Sequence, residues 1–335
     1  MLILGNFRLF SGDKSDMKIL LVGNYSSWMK LHLEHVTAGF QQTGSEVIAA
    51  DYHKMERLFG FSLPEKMEEE HRQRALEKLI KKEKPDVCFF AGSCKFDLER
   101  LKSYWNGIPV FHDYDGPRRK KTEDYFTYCR NGIFLTVSRY IERELKNLGE
   151  QVFYVPHGVD TDYYSPENGG STRYDAECSY IGRATKRRVD FCSALNCDLA
   201  LYGDRWKKTP LAHLCRRKED IQGTELVGVY RDSRTMINIL QEPLDQFQTI
   251  LSLQCFAIPS TGSCLCAEWV EEFPEAFEEG KEVFTFKTKE ELCELVPRIL
   301  QDKPLARKVG EAGRKRCLAE HTHFHRAQQI LKILS

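Results

Sequence analysis

Three short stretches of this chain carry side chains that could do chemistry. The first is His112-Asp113-Tyr114-Asp115-Gly116-Pro117. His112 could act as a general base or polarise a hydroxyl, and Asp113 or Asp115 could orient it. The competing reading is a plain turn, because Asp-Gly-Pro is turn chemistry by itself. The second is Gly182-Arg183-Ala184-Thr185-Lys186-Arg187-Arg188, a basic loop that opens a helix directly after an apolar run. Backbone N–H groups and the dipole at such a helix start suit a phosphate, and Arg183, Arg187 and Arg188 would neutralise it. The alternative is a solvated basic helix start. The third is Phe256-Ala257-Ile258-Pro259-Ser260-Thr261-Gly262, followed by EEGKEVFTFKTKEEL.

Two further groups resemble metal sites and are not read as such. His321-x-His323-x-His325 puts His321 and His325 on one helical face and His323 on another, without a completing set of carboxylates or thiols. The chain has 12 cysteines but no CxxC pair, and most lie inside apolar runs. They read as reduced, buried thiols of a cytoplasmic protein. The Cys264-x-Cys266 pair is expected to alternate across a strand, sulfurs on opposite faces, and so not to share a metal.

The elements that must position these groups repeat one pattern. Met17–Gly23 is a buried strand, Trp28–Gln42 a helix stopped by Gly44, and Glu46–Asp51 a second strand. The turn Gly23-Asn24-Tyr25 between them lacks GxGxxG, so it is read as a tight βα turn in a ligand-facing wall. Charged residues 65–84 form a helix with Met67, Ala75 and Leu79 on one side. Strands follow at Pro85–Gly92, Ile108–Phe111, Gly132–Ser138 and Val152–Val155, with Ser138 capping the helix RYIERELKNLG. A second βαβ unit follows: a strand at Ser179–Gly182, a helix over VDFCSAL and a strand at Asp198–Tyr202 closed by Gly203. The chain is therefore α/β with two Rossmann-like halves.

Length and charge agree. With 335 residues, two domains are expected. The expected division is an extension at 1–16, a first domain at 17–167, a second at 168–320 and a terminal helix at 321–335, which could cross back onto the first domain. Basic and acidic residues are equal at 49 each, so no overall charge draws the chain to nucleic acid or an anionic membrane. No apolar run is long enough to span a membrane, and MLILGNFRLF has no positive n-region and is too short for a signal peptide.

VSRYIERELKNLGEQVFYVPHGVDTDYYSP resembles the end of the first domain in group 1 glycosyltransferases of the GT-B fold. The rest, through YIGRATKRRVDF, VGVYRDSRTMINIL, FAIPSTGSCLCAE and VGEAGRKRCLAEHTHFHRA, resembles the spore-maturation CgeB-like branch. The resemblance implies two Rossmann-like domains facing across a cleft, closing about a hinge at 156–168. It implies a metal-independent enzyme that takes a sugar from a nucleotide diphosphate, UDP by preference, with retention favoured. The acceptor would be a glycan, protein or small molecule entering by Gly23, Asn24, Tyr25, His112, Asp113 and Asp115. By position, Arg183 with Arg187 or Arg188 would meet the diphosphate after Gly182. Tyr202, Gly203 and a Val229–Tyr230 turn would border the base. Ser260, Thr261 and Gly262 would reach the nucleotide at a helix start. Where the family has Arg-x-Phe-Glu this chain has Gln254-Cys255-Phe256-Ala257. Either the register of the match is offset, the donor differs, or the protein binds nucleotide-sugar or glycan without transferring it.

Overall fold

A computed structural model describes residues 17–25, 27–55, 65–92, 94–116, 122–217, 221–241 and 250–335. The expected extension at 1–16 and the basic run Arg118-Arg119-Lys120-Lys121 lie outside the described residues. The chain divides into two compact units, one running to Pro156 and taking in His323–Ser335, the other spanning His157–Thr322. The division falls earlier than residue 168. The segment after His157 is tied into the second unit, where the Val159 amide donates to the His321 carbonyl at 2.9 Å.

The first unit holds a six-stranded sheet in the order β2-β1-β3-β4-β5-β6. Its strands are β1 (Lys18–Gly23), β2 (Glu46–Asp51), β3 (Val87–Ala91), β4 (Ile108–Asp113), β5 (Ile133–Thr136) and β6 (Val152–Tyr154). Every pairing is parallel. Parallel strands are covered on both faces and so read as unbroken apolar runs; VCFFA in β3 is buried at all five positions. The helix Arg139–Asn147 starts at Ser138, whose hydroxyl accepts from the Ile141 amide, as the sequence indicates. In the helix Glu65–Glu83, Leu76 and Ile80 enter the core, while Met67 is exposed rather than on the buried side.

The helix His323–Leu334 also belongs to this unit, packed on Ser27–Gln42. The contact is close: a Cβ at Gly39 would come within 2.6 Å of the His323 carbonyl.

The second unit holds β7 (Ala176–Ile181), β8 (Leu199–Tyr202), β9 (Cys215–Arg217), β10 (Ser233–Asn238), β11 (Cys264–Glu268) and β12 (Phe284–Phe286). Their order is β12-β11-β10-β7-β8-β9, again all parallel. Read from β9, this is the doubly wound order in which the winding reverses between β7 and β10. Open α/β sheets bind ligands in the crevice outside the carboxyl ends of the strands at that reversal. One apolar core covers each face of the sheet. Cys264 and Cys266 share the core with Cys178 and Cys192, whereas Leu265 and Ala267 face the other. This corrects the expectation of opposite faces, because residues two apart on a strand point the same way. No described cysteine is in a disulfide.

Candidate functional site

On one side of the reversal point of the second sheet stand two glycine turns in contact. β7 runs out through Gly182 (φ +151°) and β8 through Gly203 (φ +115°). A Cβ on Gly203 would lie 2.8 Å from the Gly182 carbonyl oxygen, so a side chain there would push the turns apart. They are laced by the Gly182 amide donating to the Tyr202 carbonyl at 3.0 Å and the Ala184 amide to the Asp204 carbonyl at 2.9 Å. The Trp206 indole adds a bond of 2.8 Å to the Gly182 carbonyl. This frame holds Arg183 with its side chain 57% exposed, its Nε 3.5 Å from Asp204.

The helix Lys186–Ser193 begins after Thr185, whose hydroxyl accepts from the Arg188 amide. The three arginines expected at a phosphate then part company. Arg187 forms a two-pronged ion pair with Glu268 at the end of β11 and donates to the Leu240 carbonyl at 3.2 Å. Glu268 is 2% exposed and also accepts from the Leu240 amide at 2.9 Å. Arg188 donates to the carbonyls of Ile239 and Arg183, each at 3.1 Å. The expectation that Arg187 and Arg188 present guanidiniums to a ligand is therefore corrected. Their donors hold the loop after β10 to the start of the helix, and Arg183 is the arginine left facing outward.

Across the reversal point stands Gln254, first residue of the helix Gln254–Ser260. Its amide nitrogen donates to the Ile181 carbonyl at 3.3 Å, and its oxygen accepts from Asn238 at 3.0 Å. These residues close the carboxyl ends of β7 and β10 with neutral amides. The sequence shows only Gln254 where the resembled family has arginine.

Ser260, Thr261 and Gly262 form the end of that helix, not the start of one. The Thr261 hydroxyl donates to the Ile258 carbonyl at 2.8 Å, and Gly310 packs so tightly that a Cβ there would sit 2.1 Å from the Gly262 oxygen. Ser260 is fully buried. A helix C-terminus offers carbonyls, which repel phosphate. Ala257 is buried in the core, in a cluster that also holds Phe256, Phe277 and Tyr230. Tyr230 is not in a turn: it lies within the helix Gly223–Asp232, buried and tilted against Tyr164. Tyr202 is 2% exposed, and burial raises its hydroxyl above the usual phenol range. Neither ring is displayed to a base.

In the first unit, β4 continues two residues past the expected end and carries His112 and Asp113 into the sheet. His112 is 3% exposed. One ring nitrogen, Nε2, bonds the Val155 carbonyl at 3.1 Å, and Nδ1 is buried with no hydrogen-bond partner among the described residues. Burial lowers its pKa to about 3, so the ring is neutral near pH 7 and a weak base. Asp113 accepts from the Gly116 amide at 3.0 Å and from the Tyr125 hydroxyl at 3.4 Å, closing a turn with Gly116 at φ +64°. The turn reading holds for Asp113; Asp115 is exposed on the same turn. Gly23 is packed, a Cβ there falling 2.5 Å from Leu33. Beyond it, Tyr25 joins Lys30, Asp51, Lys54, Met55 and His71 around a cavity of about 570 Å³. Asn24, next to Tyr25 in sequence, is half-buried and is not among the residues lining it.

The histidine triplet is split between the units. His321 bonds the Ala276 carbonyl at 2.8 Å in the second, while His323 starts the helix of the first. No group of three potential ligands among the described residues could hold a metal.

Solved structures decide the fold. Sucrose-phosphate synthase from Thermosynechococcus elongatus superposes with a TM-score of 0.71 at 12% identity, over 95% of this chain and 98% of that one. The chain has the GT-B fold. A glycosyltransferase from Rickettsia africae gives 0.68 at 14% identity, covering 95% and 98%. HepE of Anabaena, solved with UDP and glucose, gives 0.65 at 12% identity, covering 95% and 99%. Residues 183–332 of this GT-B chain match the glycosyl transferase-like family, a match that begins at Arg183. No functionally curated protein sequence matches the chain. No helix of the described residues is long and apolar enough to cross a membrane.

Proposed function

We propose that this protein is a glycosyltransferase, of the CgeB-like branch, that moves a sugar from a nucleotide diphosphate to an acceptor in the cytoplasm. The observation that carries the reading is Arg183, outward-facing at the strand reversal where the glycosyl transferase-like match begins. UDP is the preferred carrier; HepE, similar in fold, has been solved with UDP and with UDP-glucose. The leaving diphosphate gains negative charge as the glycosidic bond breaks. Arg183, held out by the turn at Gly182, stabilises that charge without a metal, because a preoriented donor needs no rearrangement at the moment of reaction. The acceptor is assigned to the first unit, on the side of Asn24 and Tyr25. Retention of configuration is favoured, on the group 1 resemblance.

Thermal-shift measurement with a panel of nucleoside diphosphates tests the reading, followed by donor-sugar hydrolysis with those that stabilise. A panel that leaves the melting temperature unmoved sinks it.

Gln254 and Ala257 favour a second reading, a protein that binds nucleotide-sugar or glycan without transfer. Binding without turnover, with transfer appearing in Ala257→Glu, supports this second reading. Turnover by the natural chain removes it.

A further inference from the structure

We infer that Arg205 is a second guanidinium for the donor's diphosphate, paired with Arg183, and that Asp204 holds both ready until the diphosphate displaces it. The inference rests on the donor-site reading above and adds residues that neither the motifs nor the family match singles out.

The geometry is that of a clamp around one oxygen. Asp204 Oδ2 lies 3.5 Å from Arg183 Nε and 3.4 Å from Arg205 Nε. The two arginines come from different places, one from the turn after β7 and the other from the turn after β8. Two positive charges share one negative, so the group keeps an excess positive charge. A carboxylate oxygen between two guanidiniums occupies the place a phosphate oxygen would take, and guanidinium forks suit phosphate as they suit carboxylate.

Exposure separates this group from the other ion pair of the same loop. The side chains of Arg183, Asp204 and Arg205 are 57%, 53% and 62% exposed. Such pairs add little stability, so a ligand that breaks them loses little. Glu268 is buried and Arg187 half-buried, and both are tied to backbone as well, so they are less free to exchange partners. The frame beneath the clamp is rigid, through the Ala184–Asp204 backbone bond and the Trp206–Gly182 bond. The arginines can change partner without moving apart, which lowers the ordering cost of binding.

Arg205 also stands where glycine would be easier. Its φ is +71°, one of two positive φ values at non-glycine positions among the described residues. A Cβ in that region is disfavoured, and glycine adopts it freely. Arg205→Gly therefore separates the two roles of the residue, removing the charge while relaxing the turn.

The test is titration calorimetry on the full chain with whichever of UDP, GDP and ADP binds tightest, and with its parent nucleoside. Arg205→Gly is expected to weaken the diphosphate by about tenfold, leave nucleoside affinity unchanged and keep or raise the melting temperature. Arg205→Gln, which keeps length and loses charge, should fall in step with it. Asp204→Asn should bind the diphosphate more tightly, by a few-fold. Diphosphate affinity unchanged in both Arg205 variants overturns the inference and leaves the donor site standing. Equal loss for nucleoside and diphosphate overturns it also, because the residue then supports the base or the fold. Weaker binding in Asp204→Asn removes the holding role of Asp204. No binding by the natural chain to any of the three overturns the inference and the donor site together.

Discussion

The carboxyl edges of the two sheets use polar side chains in opposite ways. In the first unit, His112 and Asp113 are drawn into the sheet and its turn, and their hydrogen bonds go to backbone and to Tyr125. In the second, backbone groups and buried pairs build a frame, and Arg183 is left outside it. Both edges are rich in residues that could do chemistry. The difference is whether the neighbouring backbone consumes them. A titratable group at a strand end is therefore a candidate only once its hydrogen bonds have been accounted for.

The comparison breaks most readily at Arg187. If its role is to pair Glu268, Arg187→Ala leaves a buried carboxylate without its cation and costs about 3–5 kcal/mol in urea unfolding. A loss as small as that of a surface arginine would return Arg187 to the ligand side. Next comes pH. His112 has its folded pKa depressed from 6.5 to about 3 by burial. Between those values the unfolded chain takes up a proton that the folded ring refuses. Stability from His112 is thus full above pH 6.5 and falls with acidification through that window, by up to about 1.4 kcal/mol per pH unit. His112→Gln, whose amide can still reach the Val155 carbonyl, should flatten that part of the slope in unfolding titrations; an unchanged slope would place the titration elsewhere.

Arg183→Ala sharpens the other side. It should cost nucleoside-diphosphate affinity by about tenfold and change unfolding free energy by no more than about 0.5 kcal/mol. Thr185→Ala is the smallest. Loss of its cap should cost about 1 kcal/mol of stability and reduce diphosphate affinity only through a frayed helix start. A cap variant as damaging to binding as Arg183→Ala would shift the weight from the arginine to the helix end.

Much of the fold was legible because buried parallel strands are unbroken apolar runs. The runs ending at Gly23 and at Tyr202 were read to within a residue, and Ser138 announced its helix through cap chemistry. The site was less legible, for two physical reasons. Partners far apart in sequence decide whether a charged residue is available, and nothing around Arg187 signals Glu268, although an acid ending the apolar run CLCAE at a strand's carboxyl end was a usable clue. Short motifs also hide which end of a helix they occupy. Ser260-Thr261-Gly262 has the composition of a phosphate turn, yet Gly262 at φ +80° closes a helix. His112 was misplaced because the turn chemistry of Asp-Gly-Pro suggested a strand end two residues early.

The helix His323–Leu334 sets the order in which the molecule can be completed. Gly39, near the beginning of the chain, is shaped to receive the backbone of His323, near its other end. During synthesis the ribosome makes all of the second unit before it makes that helix. The first unit, begun earliest, therefore cannot bury the Gly39 side of its Ser27–Gln42 helix until residues 323–334 have been made.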